Sequence, residues 1–250
     1  MKAVEYRRMF EAEEAQWWYV GQRAIAHAIL EPVLTAGPAP SEHPTAILDA
    51  GCGTGGNTVH LSRLGRVVGL DLFHEAVVAC RERGLAAVRG GVLALPFLDG
   101  VLDLVTSFDV IYHSWVPDDG AAMDEMARVL RPGGLLLVRV PALKILWGAH
   151  DEAVQSRHRY TRGELVRLLE SRGLRVERST YCNSFLFPLL LARRTLDRLL
   201  GRHGSDVGFL PAPLEWAFRH VMLLEAALIR RGVSLPIGAS VVALARSPKG

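Results

Sequence analysis

The residues best suited to hold a ligand lie at 49–56, Asp49-Ala50-Gly51-Cys52-Gly53-Thr54-Gly55-Gly56. They follow the apolar run Ala-Ile-Leu-Asp-Ala at 46–50 and precede a stretch with helical patterning. Glycines between a strand and a helix permit a tight turn and let backbone N–H groups approach a ligand at the helix start. Two patterns overlap here. Gly51, Gly53 and Gly56 spell the dinucleotide-type G-x-G-x-x-G, while Asp49, Gly51, Gly53 and Gly55 spell D-x-G-x-G-x-G. A carboxylate beside the turn repels a pyrophosphate and attracts an ammonium, so Asp49 separates the two kinds of ligand.

An amino-acid ammonium attached to an adenosine describes S-adenosylmethionine. Asp71, at the end of the next apolar run, is placed to accept bonds from ribose hydroxyls, which suits either that donor or a nicotinamide dinucleotide. Transfer from a sulfonium is an in-line displacement, and an acceptor hydroxyl or ammonium then needs a base. Histidine suits that role near neutral pH. His113, His150 and His158 follow strand-like runs on the expected ligand side and are the candidates. A structural role competes for each of them. His150, Asp151 and His158 have no spacing that demands a metal, so none is expected. In the adjacent residues Trp17, Trp18 and Tyr19, not all three rings can face one side of a helix. Trp18 is therefore expected in a lid over the sulfonium, with Arg23 reaching a carboxylate.

Those residues need elements to position them. Residues 5–35 read as helical with an interruption at the aromatic cluster, and the Gly/Pro-rich segment 37–41 reads as a loop. Strands are expected at 46–50, 66–72, 86–89, 102–109, 135–141, near 174–182 and at 239–246. Helices are expected from Thr58, around 75–83, over 118–130 and from the capping box Thr161–Glu164. Alternation of helices with continuously apolar strands implies an α/β fold, a mostly parallel sheet covered on both faces. One domain is expected over 1–250, with a helical lid at 1–40 and a helical insertion at 185–232 covering the acceptor.

Composition narrows the field. Half of the 250 residues are hydrophobic and 22% are charged, which excludes fibrous and wholly disordered classes. Three cysteines without a C-x-x-C pair exclude a disulfide scaffold and suit a reducing cytoplasm. The charged N-terminus has no apolar core, so no signal peptide is expected. A net charge of +3, spread along the chain, argues against a nucleic-acid partner.

With these residues in view, the sequence resembles the class I S-adenosylmethionine-dependent methyltransferases. ILDAGCGTGGNT, GLDLF at 69–73, the stretch 93–113 and EMARVLRPGGLLLVRVP at 125–141 match their motifs in order. The resemblance implies a Rossmann-like sheet of seven strands with the last antiparallel. It also implies that Asp49, Gly51, Gly53 and Gly55 form the methionine side of the donor site. Asp71 would take the ribose, Leu72 would lie beside the adenine, and backbone groups near Val92 would hold it. Gly91 stands where members commonly place an aspartate for the adenine amino group. The segments 11–23 and 147–165 resemble those of a subgroup of the family, and a His-Asp followed by an aromatic and Glu-Leu, as in the second, is similar to a pattern in quinone-biosynthesis O-methyltransferases.

The expected activity is methyl transfer to oxygen or nitrogen of a small, partly apolar acceptor. A NAD-dependent oxidoreductase using the same turn, and a non-catalytic donor-binding assembly subunit, stay open. Between 185 and 202, arginines alternate with leucines, with too short an apolar run to span a bilayer. Pocket closure, a homodimer interface and peripheral contact with an anionic membrane are the competing uses of that segment.

Overall fold

Short apolar runs between glycine-rich turns make the strands. They are β1 (Ala46–Ala50), β2 (Arg66–Asp71), β3 (Ala87–Arg89), β4 (Leu102–Phe108), β5 (Leu130–Pro141), β6 (Arg175–Cys182) and β7 (Ser240–Arg246). The computed structural model describes residues 10–35, 44–200 and 210–248. The seven strands form one sheet in the order β3-β2-β1-β4-β5-β7-β6, in which β7 alone runs antiparallel to its neighbours. Strand order reverses between β1 and β4, so their carboxyl ends flank a crevice where an open α/β sheet binds ligands.

The helices are α1 (Trp17–Thr35), α2 (Gly56–Leu61), α3 (His74–Glu82), α4 (Asp119–Val129), α5 (Ala149–Ala153), α6 (Arg162–Glu170), α7 (Phe187–Leu199) and α8 (Ala212–Arg230). One sheet face packs on α4 and α6, where Met123, Met126, Leu165 and Leu169 meet Leu136, Val138 and Val241. The other packs on α1 and α8, where Ile25, Ile29, Met222 and Ile229 meet Ile47, Leu104, Leu137 and Leu244. Both faces being covered explains why the central strands are apolar on both sides.

Three expectations change. The helical break falls at residues 13–16, and α1 runs unbroken through Trp17, Trp18 and Tyr19. Trp17 seats edge-on against Phe218 of α8, which holds the helix start in place. The strand expected at 135–141 begins at Leu130, ahead of Arg131–Gly134. Those residues already belong to β5 and form a bulge, the register stepping from Leu102↔Leu130 to Leu104↔Leu135. The end of β7 pins the bulge, because the Ser247 N–H donates to the Gly134 carbonyl and the Arg246 guanidinium to that of Gly133. Finally, the two helices of the insertion at 185–232 part ways. The buried residues of α8 belong to the layer on the sheet face, and only α7 remains by the turn after β5. The capping box at Thr161 and Glu164 forms as expected, with both reciprocal bonds made. The proposed loop at 37–41 lies outside the described residues.

Gly21 lets α1 and α8 approach closely. A Cβ there would stand 2.5 Å from the Cβ of Met222. Gly21→Ala is expected to destabilise the fold by about 1–3 kcal/mol through overpacking. The check is the midpoint of urea unfolding, and an unchanged midpoint would show that the two helices do not pack this way.

Candidate active site

The glycine turn is built from backbone strain that only glycine relieves cheaply. Gly51, Gly53 and Gly55 have φ of 84°, 55° and 87°. At Gly51 a second constraint acts, because a Cβ would lie 2.2 Å from Cγ2 of Val110, just beyond β4. The turn is tied to β2, since Gly51 and Cys52 N–H both donate to the Leu70 carbonyl. Asp71 completes the tie. Its Oδ2 accepts from Gly53 N–H and its Oδ1 from Phe73 N–H, each at 3.0 Å. Burial pushes the Asp71 carboxyl up, and its backbone donors work in the opposite direction.

Asp49 lies under the turn, fully enclosed. Thr58 Oγ1 donates to one carboxylate oxygen at 2.7 Å and Thr106 Oγ1 to the other at 2.9 Å. Burial raises its carboxyl to about 6. Leu72 is 41% exposed, and a Cβ at Gly91 would meet only Leu72 Cδ1, at 3.8 Å. The surface beside Leu72 is thus open enough for a flat ring. Val92 turns its side chain into the core, leaving backbone as what it can offer. Phe73 and Trp115 meet edge to face at 5.6 Å, joining the segment after β2 to the loop after β4.

Over the turn lies a residue that composition disguised. Glu13 sits in a run of acids that reads as a solvated face, yet it is buried. Its Oε2 accepts from Thr54 Oγ1 at 2.5 Å and from Gly56 N–H at 3.0 Å, and it pairs with Arg83 at 3.1 Å. Arg23 donates to the Glu13 backbone carbonyl at 2.6 Å. Trp18 packs edge-on against Trp17 on the exit from this segment. Tyr19, one residue on, lies in the field of Glu13, Asp109, Arg139 and Arg23. Burial above all, then the two carboxylates, pushes its phenol up.

The far wall carries an ion pair. Asp109 closes β4 with φ of 57°, a conformation that costs a non-glycine residue energy and tends to occur at functional sites. Its N–H donates to the Arg139 carbonyl, and its Oδ2 accepts from Arg139 Nη2 at 2.5 Å and Nε at 3.2 Å. An arginine inside the apolar run Leu-Leu-Leu-Val-Arg-Val was the available signal, because buried arginine implies a partner. Asn183, just past β6, also has positive φ, and its side-chain amide is buried with neither atom hydrogen-bonded.

The candidate histidines part company. His113 stacks on Trp115 at 4.0 Å, and its Nδ1 lies 2.8 Å from the Val154 carbonyl. A carbonyl only accepts, so Nδ1 carries the proton and the basic lone pair of the neutral ring is on Nε2. Burial lowers His113 to about 4, and the nearby His150 adds to that. The Asp151 carboxylate is held by Arg159 at 2.7 Å and 3.1 Å. His158 faces elsewhere, 3.9 Å from Glu164 and edge-on to Tyr160. Among the described residues no group of three or more His, Cys, Asp or Glu is placed to hold a metal.

Burial raises Glu13 from the ordinary 4.5 to about 7, against the opposing pull of Thr54, Arg83 and Gly56. The fold therefore favours its protonated form. The contribution is full below about 4.5 and is lost as pH rises through about 7. Wild type is expected to lose stability relative to Glu13→Gln across that window. Urea unfolding of both proteins at each end of the window checks it, and a pH-independent difference would contradict the assignment.

Residues 48–138 match the family model described as a methyltransferase domain. A Mycolicibacterium smegmatis protein named as a probable S-adenosylmethionine-dependent methyltransferase is 38% identical over 136 residues, 52% of each chain. The chain spans about half the length of the curated relatives it matches. Among solved structures, the Haloferax volcanii complex of the Trm112 methyltransferase activator with a chain described as a methyltransferase aligns at TM-score 0.62. That match has 21% identity and covers 98% of this chain and 96% of that one. Geranyl diphosphate C-methyltransferase from Streptomyces coelicolor, solved with S-adenosylhomocysteine, aligns at 0.55 with 19% identity, covering 89% and 78%. These two likenesses show the fold. With the turn, the acidic strand ends and the strand order already described, residues 48–138 match a methyltransferase domain and resemble the class I S-adenosylmethionine-dependent methyltransferases.

Proposed function

We propose that this chain transfers the methyl group of S-adenosylmethionine to oxygen or nitrogen of a small, partly apolar acceptor. The observation that carries the reading is the left-handed glycine turn tied to Asp71, with an open surface at Leu72 and Gly91 continuing from it. Such a cradle fits a molecule with a charged amino-acid end and a flat base end. When bound, the donor supplies an electrophilic methyl group. Asp71 would exchange its bond to Gly53 N–H, or share it, with ribose hydroxyls. Asp49 would add a negative field beneath the donor's ammonium.

The acceptor belongs, on this reading, at the carboxyl ends of β4 and β5, beyond Gly51. Asp109 keeps one carboxylate oxygen outside its Arg139 bonds and can accept from an acceptor hydroxyl or amine. Tyr19 and Tyr112 stand in the field of that carboxylate. His113 Nε2 is the candidate to receive a proton, though a ring lowered to about 4 is a weak base. Catalysis then rests chiefly on orientation and exclusion of water. His158, turned toward Glu164, has no part in this scheme, and His158→Ala should leave turnover near that of wild type.

Titrating the whole chain separately with S-adenosylhomocysteine and NAD tests the donor. Binding of the first alone is expected, and binding of NAD alone would replace the reading with an oxidoreductase. Asp71→Ala should weaken S-adenosylhomocysteine roughly ten- to a hundredfold, the range for hydrogen bonds to a charged acceptor. An unchanged Kd would remove Asp71 from the site. Radiolabelled S-adenosylmethionine with a small-molecule extract of the native host tests turnover. Donor binding without label transfer would favour the assembly-subunit reading.

A further inference from the structure

Two buried amides near the carboxyl edge of the sheet have nothing to bond. The Gln22 and Asn183 side chains are 2% and 1% exposed, and neither the oxygen nor the nitrogen of either amide has a hydrogen-bond partner. A buried polar group left unbonded costs stability, so two in one region call for a reason. Asn183 is also strained. It follows β6 with φ of 57°, as Asp109 follows β4 with the same angle and Leu143 lies just past β5 with 61°. Such strain gathers at ligand sites. The loop after β6 is built to hold it, because Oε2 of Glu225, an enclosed residue of α8, accepts from Ser184 N–H at 2.8 Å and Phe185 N–H at 3.3 Å. The other Glu225 oxygen, Oε1, is buried and unbonded as well.

Gln22 approaches the same region from α1. Tyr19, one turn earlier, lies in the field of Asp109 and Arg139, and Gly21 lies against Met222, one turn before Glu225. The charges that act on the Cys182 thiol, beside Asn183, are Arg139, Glu225 and Asp109, and Arg139 is bonded to Asp109. Two carboxyl groups against one guanidinium disfavour an anion there. From these placements we propose that the Gln22 and Asn183 amides bind the acceptor. It is then a non-anionic molecule with a hydroxyl or carbonyl group besides the atom that is methylated. The amide oxygens and Glu225 would accept from its hydroxyl, and the amide nitrogens would donate to its oxygen. This inference rests on the methyl-transfer reading and narrows its acceptor.

Gln22→Met and Asn183→Gly remove the amides, and glycine keeps the positive φ at little cost. In urea unfolding of the whole chain, Gln22→Met is expected to raise the midpoint, because an apolar side chain of similar length replaces an unbonded amide. A lowered midpoint would show an amide bonded within the fold and overturn its role. A small-molecule extract of the native host, split on an anion exchanger at neutral pH, then supplies acceptors for methyl-labelled S-adenosylmethionine. Wild type should label the unretained fraction. Both variants should do so roughly tenfold or more slowly, with S-adenosylhomocysteine affinity unchanged. Labelling of the retained fraction, variants as fast as wild type, or a lost S-adenosylhomocysteine affinity would overturn the inference and leave methyl transfer standing. Labelling of neither fraction by a protein that binds S-adenosylhomocysteine would instead end the methyl-transfer reading, and this inference with it.

Discussion

The contact between Gly51 and Val110 sets the geometry of everything around it. A backbone in the left-handed region, with no room for a Cβ, lets the end of β1 pass beneath the loop after β4. The same turn is tied sideways to β2 by the Leu70 carbonyl and the Asp71 carboxylate. Three strand ends are thereby brought to one point, and the turn's own N–H groups are spent holding it in shape. A ligand binding there finds its cradle already ordered, which lowers the entropy cost of binding.

Around that point the protein keeps an unusual number of charges out of water. Glu13, Arg23, Asp49 and Arg139 are all buried, and Asp109 is strained as well as paired. Buried ion pairs seldom add much stability, since desolvation offsets the attraction. Their value here is positional. Glu13 holds residues 10–16 onto the start of α2, and through Arg23 it orients α1 over the turn. Asp109 and Arg139 lock the ends of β4 and β5 to each other. The consequence is a set of buried polar contacts between α1 and the strand ends, with an apolar layer behind them, where α8 continues the sheet's cover.

Chemistry near the methyl group would then depend little on any single base. His113 is stacked, bonded through Nδ1 and held largely neutral. This is the environment of a ring that orients or lends a weak lone pair, and it agrees with a displacement whose main demand is alignment.

The sequence by itself determined the class of the fold and the floor of the site. Periodicity and glycine placement are local signals, so the strands, the turn at 49–56, the acid at 71 and the capping box at Thr161 could all be read from neighbours in the chain. The tertiary structure decided what depends on distant partners. Glu13 reads as a surface acid until Thr54, Gly56 and Arg83 surround it from 41, 43 and 70 residues away. Asp151 stands beside His150 in the chain, yet its carboxylate is taken by Arg159, eight residues on. The insertion reads as one unit, yet α8 joins the core while α7 stays outside, because only α8 finds the apolar face of α1 to pack against. Composition records how apolar a segment is, but burial depends on which surface the chain brings opposite it.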